Sequence, residues 1–187
     1  EEAGRGRRRL ACGCVELLGV GVSDLWLQDR AVLVSGGGSG LGLACARRLA
    51  EAGGRVTLMG RTEARLDAAV AELGPGASKV VGDVTVEQDV ERAVAAAVER
   101  GPLAVVVHSA GHGWAAPLPA LPLEAWRSVI DVNMTGCFLL IKHAAAHLTA
   151  AGGGSVVAIS SVDALRPCRF LSPYSAAKAG MDMLVRT

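Results

Sequence analysis

The chain has 187 residues, which fits one domain, and 51% of them are apolar, enough for a sizeable core. Its formal net charge of +1 gives no generic attraction to nucleic acid or to anionic membranes. No stretch approaches the roughly 18 consecutive apolar residues that would span a bilayer. We therefore expect a soluble protein that has neither nucleic acid nor membrane as a partner.

Residues 1–28 differ in composition from the rest of the chain. A cluster of arginines at positions 5–9 precedes an apolar stretch at 10–22. This order resembles a secretory signal, but Glu16 interrupts the apolar stretch and no clear cleavage site follows it. We expect residues 1–28 to form a poorly ordered extension and residues 29–187 to form the domain.

The cysteines indicate a reducing compartment. There are five of them, an odd number, at scattered positions. Cys12 and Cys14 are too close for the usual zinc-binding pair, and no second pair follows them. We expect free thiols and a cytoplasmic location.

From Ala31 onward, short apolar runs alternate with segments of helical periodicity. The predicted strands are 31–34, 56–59, 79–84, 103–108 and 156–160. The predicted helices are 41–52, 63–73, 86–99, a long helix within 123–147 and a last helix from about Ser172. Consecutive parallel strands need right-handed helical crossovers, so helices should cover both faces of the sheet. The fold class is α/β, with a doubly wound, mostly parallel sheet.

Residues 35–42, Ser-Gly-Gly-Gly-Ser-Gly-Leu-Gly, join the first strand to the first helix. Glycines permit positive φ and let a pyrophosphate approach the backbone closely. The N-terminus of the following helix offers free N–H groups and a partial positive charge. No Lys followed by Ser or Thr is present, so this is not a Walker loop, and the spacing is G-x-x-x-G-x-G instead of G-x-G-x-x-G.

Tyr174 and Lys178 are spaced i, i+4 and should lie on one face of a helix. A phenol alone is a poor acid–base catalyst because it ionises near pH 10, and an ammonium one turn away favours its ionised form. The pair can therefore act as a proton-transfer unit. Ser161 lies thirteen positions before Tyr174, and that separation distinguishes it from Ser160.

These motifs resemble those of the short-chain dehydrogenases/reductases, from about Leu27 to the last residue. The cofactor loop of that family, T-G-x-x-x-G-x-G, is matched with Ser35 in place of Thr. Its catalytic serine and Tyr-x-x-x-Lys motif are matched by Ser161, Tyr174 and Lys178, and its helix asparagine by Asn133. The resemblance implies a Rossmann-type fold whose last strands this chain lacks.

The resemblance also implies a set of cofactor-binding residues. They are Ser35, Gly36, Gly38, Ser39, Gly40, Leu41, Gly42, Arg61, Asp83, Val84, Ala110, Gly111, Tyr174 and Lys178. Asp83, after the third strand, would meet the adenine. The sequence departs from the family after strand four, where the family has Asn-Asn-Ala-Gly and this chain has His-Ser-Ala-Gly, beginning at His108. A ring nitrogen of His108 could donate the hydrogen bond that the asparagine donates in the family.

The end of the second strand favours NADP(H) over NAD(H). NAD enzymes place Asp or Glu there to accept hydrogen bonds from the ribose 2′-hydroxyl. This chain has Gly60 followed by Arg61, so no carboxylate repels a 2′-phosphate and a guanidinium is available to bind it.

The resemblance implies hydride transfer between NADP(H) and a carbonyl or secondary alcohol, with a 3-oxoacyl thioester as one possible substrate. Tyr174 would exchange a proton with the substrate oxygen, which Ser161 would orient. Lys178 would assist Tyr174 and hold the nicotinamide ribose, and Asn133 would anchor a water linked to Lys178. We expect a homo-oligomer, dimer or tetramer.

An alternative from another class is a truncated or regulatory relative that binds nucleotide without turnover. Members of the family continue with two more strands and a segment that covers the substrate. We therefore expect the chain to be incomplete at its C-terminus, marginally stable and inactive by itself. We expect no metal site, because His143 and His147 are spaced i, i+4 but no Glu follows His143 as in zinc proteases.

Overall fold

The computed structural model describes residues 25–187, which form a five-stranded parallel sheet. The expectations for residues 1–24, including Cys12 and Cys14, lie outside the described residues. The strands are β1 (Ala31–Ser35), β2 (Arg55–Gly60), β3 (Ala77–Val81), β4 (Leu103–His108) and β5 (Ser155–Ala158). They lie in the order β3-β2-β1-β4-β5, and every pairing is parallel.

Helices cover both faces of this sheet, as predicted for a doubly wound fold. They are α1 (Gly40–Glu51), α2 (Glu63–Leu73), α3 (Glu87–Val98), α4 (Leu123–Ile130), α5 (Gly136–Ala150) and α6 (Ser172–Arg186). Alternate residues of a strand face opposite sides of a sheet. Val32 and Val34 of β1 accordingly pack in a cluster with α1 and α2, while Ala31 and Leu33 pack in a second cluster with α3 and α5.

The strand order reverses between β1 and β4, and this reversal positions the site. The chain moves outward from β1 through β2 to β3, then returns to place β4 on the other side of β1. Crossovers diverge there, which leaves a crevice at the carboxyl ends of the strands. The glycine loop leaves β1 at this point.

Most predicted elements agree with the structure, but β3 ends at Val81 and not at residue 84. The last ladder hydrogen bond beyond it joins Gly82 N to Gly60 O at 3.0 Å. The next amide, that of Asp83, donates instead to the Asp89 carboxylate of α3 at 2.8 Å. The chain therefore leaves the sheet early and places Asp83 in a loop at the crevice.

The long helix predicted within residues 123–147 contains a π-helical segment. Helix α4 runs into the π segment Asp131–Thr135, which runs into α5 without a break. Such segments occur mostly as single turns within α-helices, often at functional sites. Asn133 lies at the centre of this one.

The same run, Leu123–Ala150, is long and apolar enough by composition to pass for a membrane span, which the sequence analysis did not anticipate. Its mean hydropathy is 1.2 over the most apolar window, of which 39% is buried. Leu139, Leu140 and Ala144 pack in the core cluster beneath β4 and beside α3. This core contact accounts for part of the apolar composition of the run.

Candidate active site

A cavity of about 580 Å³ lies at the carboxyl ends of the strands. It brings together most of the residues that the sequence predicted to bind a cofactor or to act in catalysis. Those on its wall are Gly36, Gly38, Ser39, Gly40, Leu41, Arg61, Asp83, Val84, Ala110, Gly111, Asn133, Tyr174 and Lys178. Ser35, Gly42 and Ser161 are not on the wall.

The glycine loop is shaped for close approach to its surroundings. Gly36 has φ +67° and lies so near the loop after β4 that an added Cβ would stand 2.7 Å from the Ala110 nitrogen. A Cβ on Gly42 would stand 2.3 Å from the Gly36 carbonyl oxygen, so this glycine lets α1 pack onto the loop. The first turn of α1 begins at Gly40 on the cavity wall, and its free N–H groups suit a pyrophosphate.

His108 joins the glycine loop to the π segment. Its Nδ1 lies 3.0 Å from Ser35 Oγ, and its Nε2 lies 3.2 Å from the backbone carbonyl oxygen of Asn133. Burial, together with the nearby Lys178 ammonium, lowers the pKa of His108 to about 4, so the ring is neutral near pH 7. A carbonyl only accepts, so Nε2 donates to Asn133 and Nδ1 accepts from the Ser35 hydroxyl. His108 thus donates a hydrogen bond from a ring nitrogen; its equivalence to the bond of the family's asparagine stays a prediction.

Asn133 presents an unpaired acceptor toward the catalytic side of the cavity. Its Nδ2 donates to the carbonyl oxygens of His112 at 2.8 Å and Val129 at 2.9 Å. Its Oδ1 is buried and has no hydrogen-bond partner among the described residues. That oxygen faces Gly111, where an added Cβ would lie 2.6 Å from it and 3.7 Å from Lys178 Nζ. A water at this position would satisfy the acceptor.

Lys178 is buried beside Tyr174 on α6. Only 4% of Lys178 is exposed, and its Nζ donates to the Ile159 carbonyl oxygen at 2.6 Å. Burial lowers the pKa of Lys178, and its Nζ lies 5.7 Å from the centre of the Tyr174 ring. Helix α6 starts at Ser172, with Pro173 in its first turn, where a backbone N–H would have no partner within the helix. This start places the side chains of Tyr174 and Lys178 at the cavity.

Ser161 does not line the cavity, whereas its neighbour Ser160 does. The Oγ of Ser161 accepts a hydrogen bond from Asp163 N at 3.2 Å and donates to the Asp163 carboxylate at 3.3 Å. The side chain thereby caps the 3₁₀ turn Val162–Ala164. The catalytic role assigned to Ser161 stays a prediction.

Cationic and hydroxyl groups surround the end of β2. Arg61 is well exposed, and its Nη1 lies 3.7 Å from Asp83 Oδ2. The other oxygen of that carboxylate, Oδ1, accepts hydrogen bonds from Thr85 N and Thr85 Oγ1, both at 2.9 Å. Thr62 and Arg65 also line the cavity, and the sequence analysis missed both. Arg65 lies in the first turn of the predicted helix that follows Arg61, a signal that could have found it.

A model of the short chain dehydrogenase family matches residues 30–187 of this chain. The chain is a member of the short-chain dehydrogenase/reductase family. Among curated members, a cis-4-hydroxycyclohexanecarboxylate dehydrogenase of Sinomonas cyclohexanicum is 42% identical over 163 residues, 85% of this chain and 66% of its own length. The chain thus spans slightly less than two thirds of that relative.

Solved structures of this family share the fold. A short-chain type dehydrogenase/reductase from Mycobacterium ulcerans is 38% identical, with a TM-score of 0.81 over 84% of this chain and 60% of that one. A variant of actinorhodin polyketide ketoreductase, solved with NADPH, is 35% identical, with a TM-score of 0.80 over 84% of this chain and 63% of that one.

Proposed function

We propose that this short-chain dehydrogenase/reductase binds NADP(H) and transfers hydride between it and the carbonyl or secondary alcohol group of a small molecule. The observation that carries the cofactor choice is the end of β2. Gly60 stands there without a carboxylate, and Arg61 follows it on the wall of the cavity that contains the glycine loop.

Electrostatics at this point favour a 2′-phosphate over a free hydroxyl. Arg61 and Arg65 offer two guanidinium groups, and Thr62 adds a hydroxyl. The contact of Arg61 with Asp83 is 3.7 Å long, too long for a hydrogen bond, so the guanidinium remains available. Hydrogen bonds to charged groups contribute about 1.5–3 kcal/mol. This corresponds to roughly ten- to hundredfold tighter binding of NADPH than of NADH.

The chemistry would follow from the side chains at the other end of the cavity. The cofactor, when bound, supplies or accepts the hydride. Tyr174 would exchange a proton with the substrate oxygen, with the buried charge of Lys178 beside it. Ser161 would exchange its hydrogen bond to Asp163 for one to the substrate oxygen. The orphaned Asn133 Oδ1 would hold a water that relays protons toward Lys178.

Relatives support a ketone or secondary alcohol as the reacting group. One is named for a hydroxycyclohexanecarboxylate and another for polyketide ketoreduction. We extend the proposal to a cytoplasmic homo-oligomer. The described cysteines, Cys45, Cys137 and Cys168, are free thiols, and Leu123 on α4 and Phe138 on α5 are large apolar side chains that are exposed.

Binding titrations test the cofactor choice. The dissociation constants of NADPH and NADH are measured by the change in nicotinamide fluorescence for the wild type and for the double variant Gly60→Asp with Arg61→Ala. We expect NADPH to be preferred by the wild type and NADH by the variant. Arg48→Ala removes an exposed guanidinium of α1 that is paired with Glu51, and should change neither constant. Equal or tighter binding of NADH by the wild type would refute the proposal.

A further inference from the structure

A second cluster of polar side chains lies between α3 and α5, away from the nucleotide cavity. Glu87 and Glu91 are spaced i, i+4 on α3, and His143 and His147 are spaced i, i+4 on α5, so each pair shares a helix face. Glu91, His143 and His147 line a groove of about 480 Å³ that shares no residue with the nucleotide cavity. Glu87, Glu91 and His143 each place one potential ligand atom within 4.8 Å of the other two.

Hydrogen bonding fixes which nitrogen of His143 carries the proton. Its Nε2 lies 2.9 Å from Glu87 Oε1, and Lys142 Nζ lies 2.6 Å from the same oxygen. Lys142 can only donate, and Glu87 Oε1, a carboxylate oxygen, accepts from both groups. Nε2 is therefore the donor, and in the neutral ring Nδ1 carries a lone pair.

That lone pair faces a second acceptor. Nδ1 of His143 lies 3.7 Å from Glu91 Oε1, beyond hydrogen-bond distance. A proton on Nδ1 or a metal ion between the two atoms would each make this contact attractive. Around tetrahedral Zn²⁺, with ligands at about 2.0–2.2 Å, neighbouring ligand atoms stand about 3.3–3.6 Å apart. A small side-chain movement would bring this pair to that separation.

We propose that the α3–α5 groove is a binding site for a divalent transition metal of the Zn²⁺ type. His143 Nδ1 and the Glu91 carboxylate are its first two ligands. We assign the third to the imidazole of His147, which lines the same groove one helical turn further along α5 and would turn toward them, and water completes the coordination. Two imidazoles and one carboxylate suit zinc better than magnesium or calcium, which take oxygen ligands.

Glu87 orients His143 in this site and is not itself a ligand. A metal-binding histidine commonly donates its other ring N–H to a carboxylate, which fixes the tautomer. The contact from His143 Nε2 to Glu87 Oε1 supplies that bond, and Lys142 holds the same carboxylate from outside. From the sequence alone a surface or packed histidine pair was the better interpretation, because the carboxylates come from another helix.

Metal binding here would join two helices that cover the same face of the sheet. Helices α3 and α5 both contribute to the core cluster that includes Val90, Val94, Leu140 and Ala144. A ligand that binds only the folded state stabilises it in proportion to its occupancy. The bound ion should therefore raise the melting temperature.

Isothermal titration with Zn²⁺ and absorption spectra with Co²⁺ test the site on the full chain. We expect one saturable Zn²⁺ site, a rise in melting temperature, and a Co²⁺ spectrum without a sulfur charge-transfer band. His143→Ala and Glu91→Gln should abolish the site, and His147→Ala should weaken it. Glu87→Gln should weaken it by about tenfold or more. The matched control Glu72→Gln removes an exposed carboxylate of α2, paired with Arg47, and should change nothing.

Other outcomes would overturn the proposal. They are binding that survives His143→Ala, a sulfur band that assigns the metal to cysteines, or equal affinity for Mg²⁺. Failure of Zn²⁺ to bind folded wild-type chain would reduce the cluster to a network of ion pairs. None of these results depends on nicotinamide binding, so the proposed reductase function is tested separately.

Discussion

Acidification should destabilise the fold through His108. Its pKa is about 4 in the folded chain, against an ordinary value of 6.5, because burial disfavours the imidazolium. As pH falls below 6.5, the unfolded chain takes up a proton that the folded chain refuses until about pH 4. The stability from this group is therefore complete above pH 6.5 and is lost progressively down to pH 4. The full loss is about 3 kcal/mol, of which about 2 kcal/mol is gone at pH 5.

Urea denaturation at pH 7.5 and pH 5 measures this loss. The reference is His108→Asn, which restores the residue common in the family and cannot titrate in this range. Groups shared by both proteins cancel in the comparison, so the wild type should lose about 2 kcal/mol more than the variant between the two pH values. Equal losses would refute the argument, because His108 would then ionise as readily in the fold as in the unfolded chain. A lower stability of the variant at both pH values would not affect the comparison.

Three substitutions test the cavity. Gly42→Ala places a Cβ 2.3 Å from the Gly36 carbonyl oxygen and should abolish NADPH binding. The control is Gly74→Ala, which has no atom within 4 Å of its Cβ and should lower stability alone. Titration with NADPH and thermal melting compare the two variants. Tyr174→Phe should lower carbonyl reduction by about 10²–10⁴-fold while NADPH binding persists, and a loss below tenfold would point to another proton donor. Lys178→Ala should also weaken NADPH binding, and unchanged affinity would contradict its second role.

The fold could be predicted from the sequence because its signals are local and strong. The sequence predicts α2 and β4 with the bounds that the structure has. Gly74 ends α2, whose apolar residues keep helical spacing, and β4 is a continuous apolar run that begins directly after Gly101-Pro102. The early end of β3 could not be predicted, because it depends on a hydrogen bond from Asp83 to Asp89 across a turn. The apolar spacing of residues 123–150 predicts a helix but not its hydrogen-bond register, so the π segment also escaped detection.

The site was predictable where a motif spans few residues. Ser35 through Gly42 and the Tyr174–Lys178 pair depend on spacing along one element, and most of them meet at the cavity. His108 required the structure, because its two ring contacts lie 73 and 25 residues away in the chain. The grouping of Glu87 with His143 likewise joins side chains 56 residues apart, a distance over which no sequence pattern is informative.

The π segment limits the number of residues that can lie between α4 and α5. The π turn already holds one residue more than an α-helical turn, and successive residues of a helix are rotated by about 100°. Inserting a further residue within Asp131–Thr135 would therefore turn α5 by that angle relative to α4. Leu140 and Ala144 would leave the core and polar side chains would replace them. Insertions should therefore be tolerated in the loop after β4 long before they are tolerated here, and chimeras with other family members should not lengthen this segment.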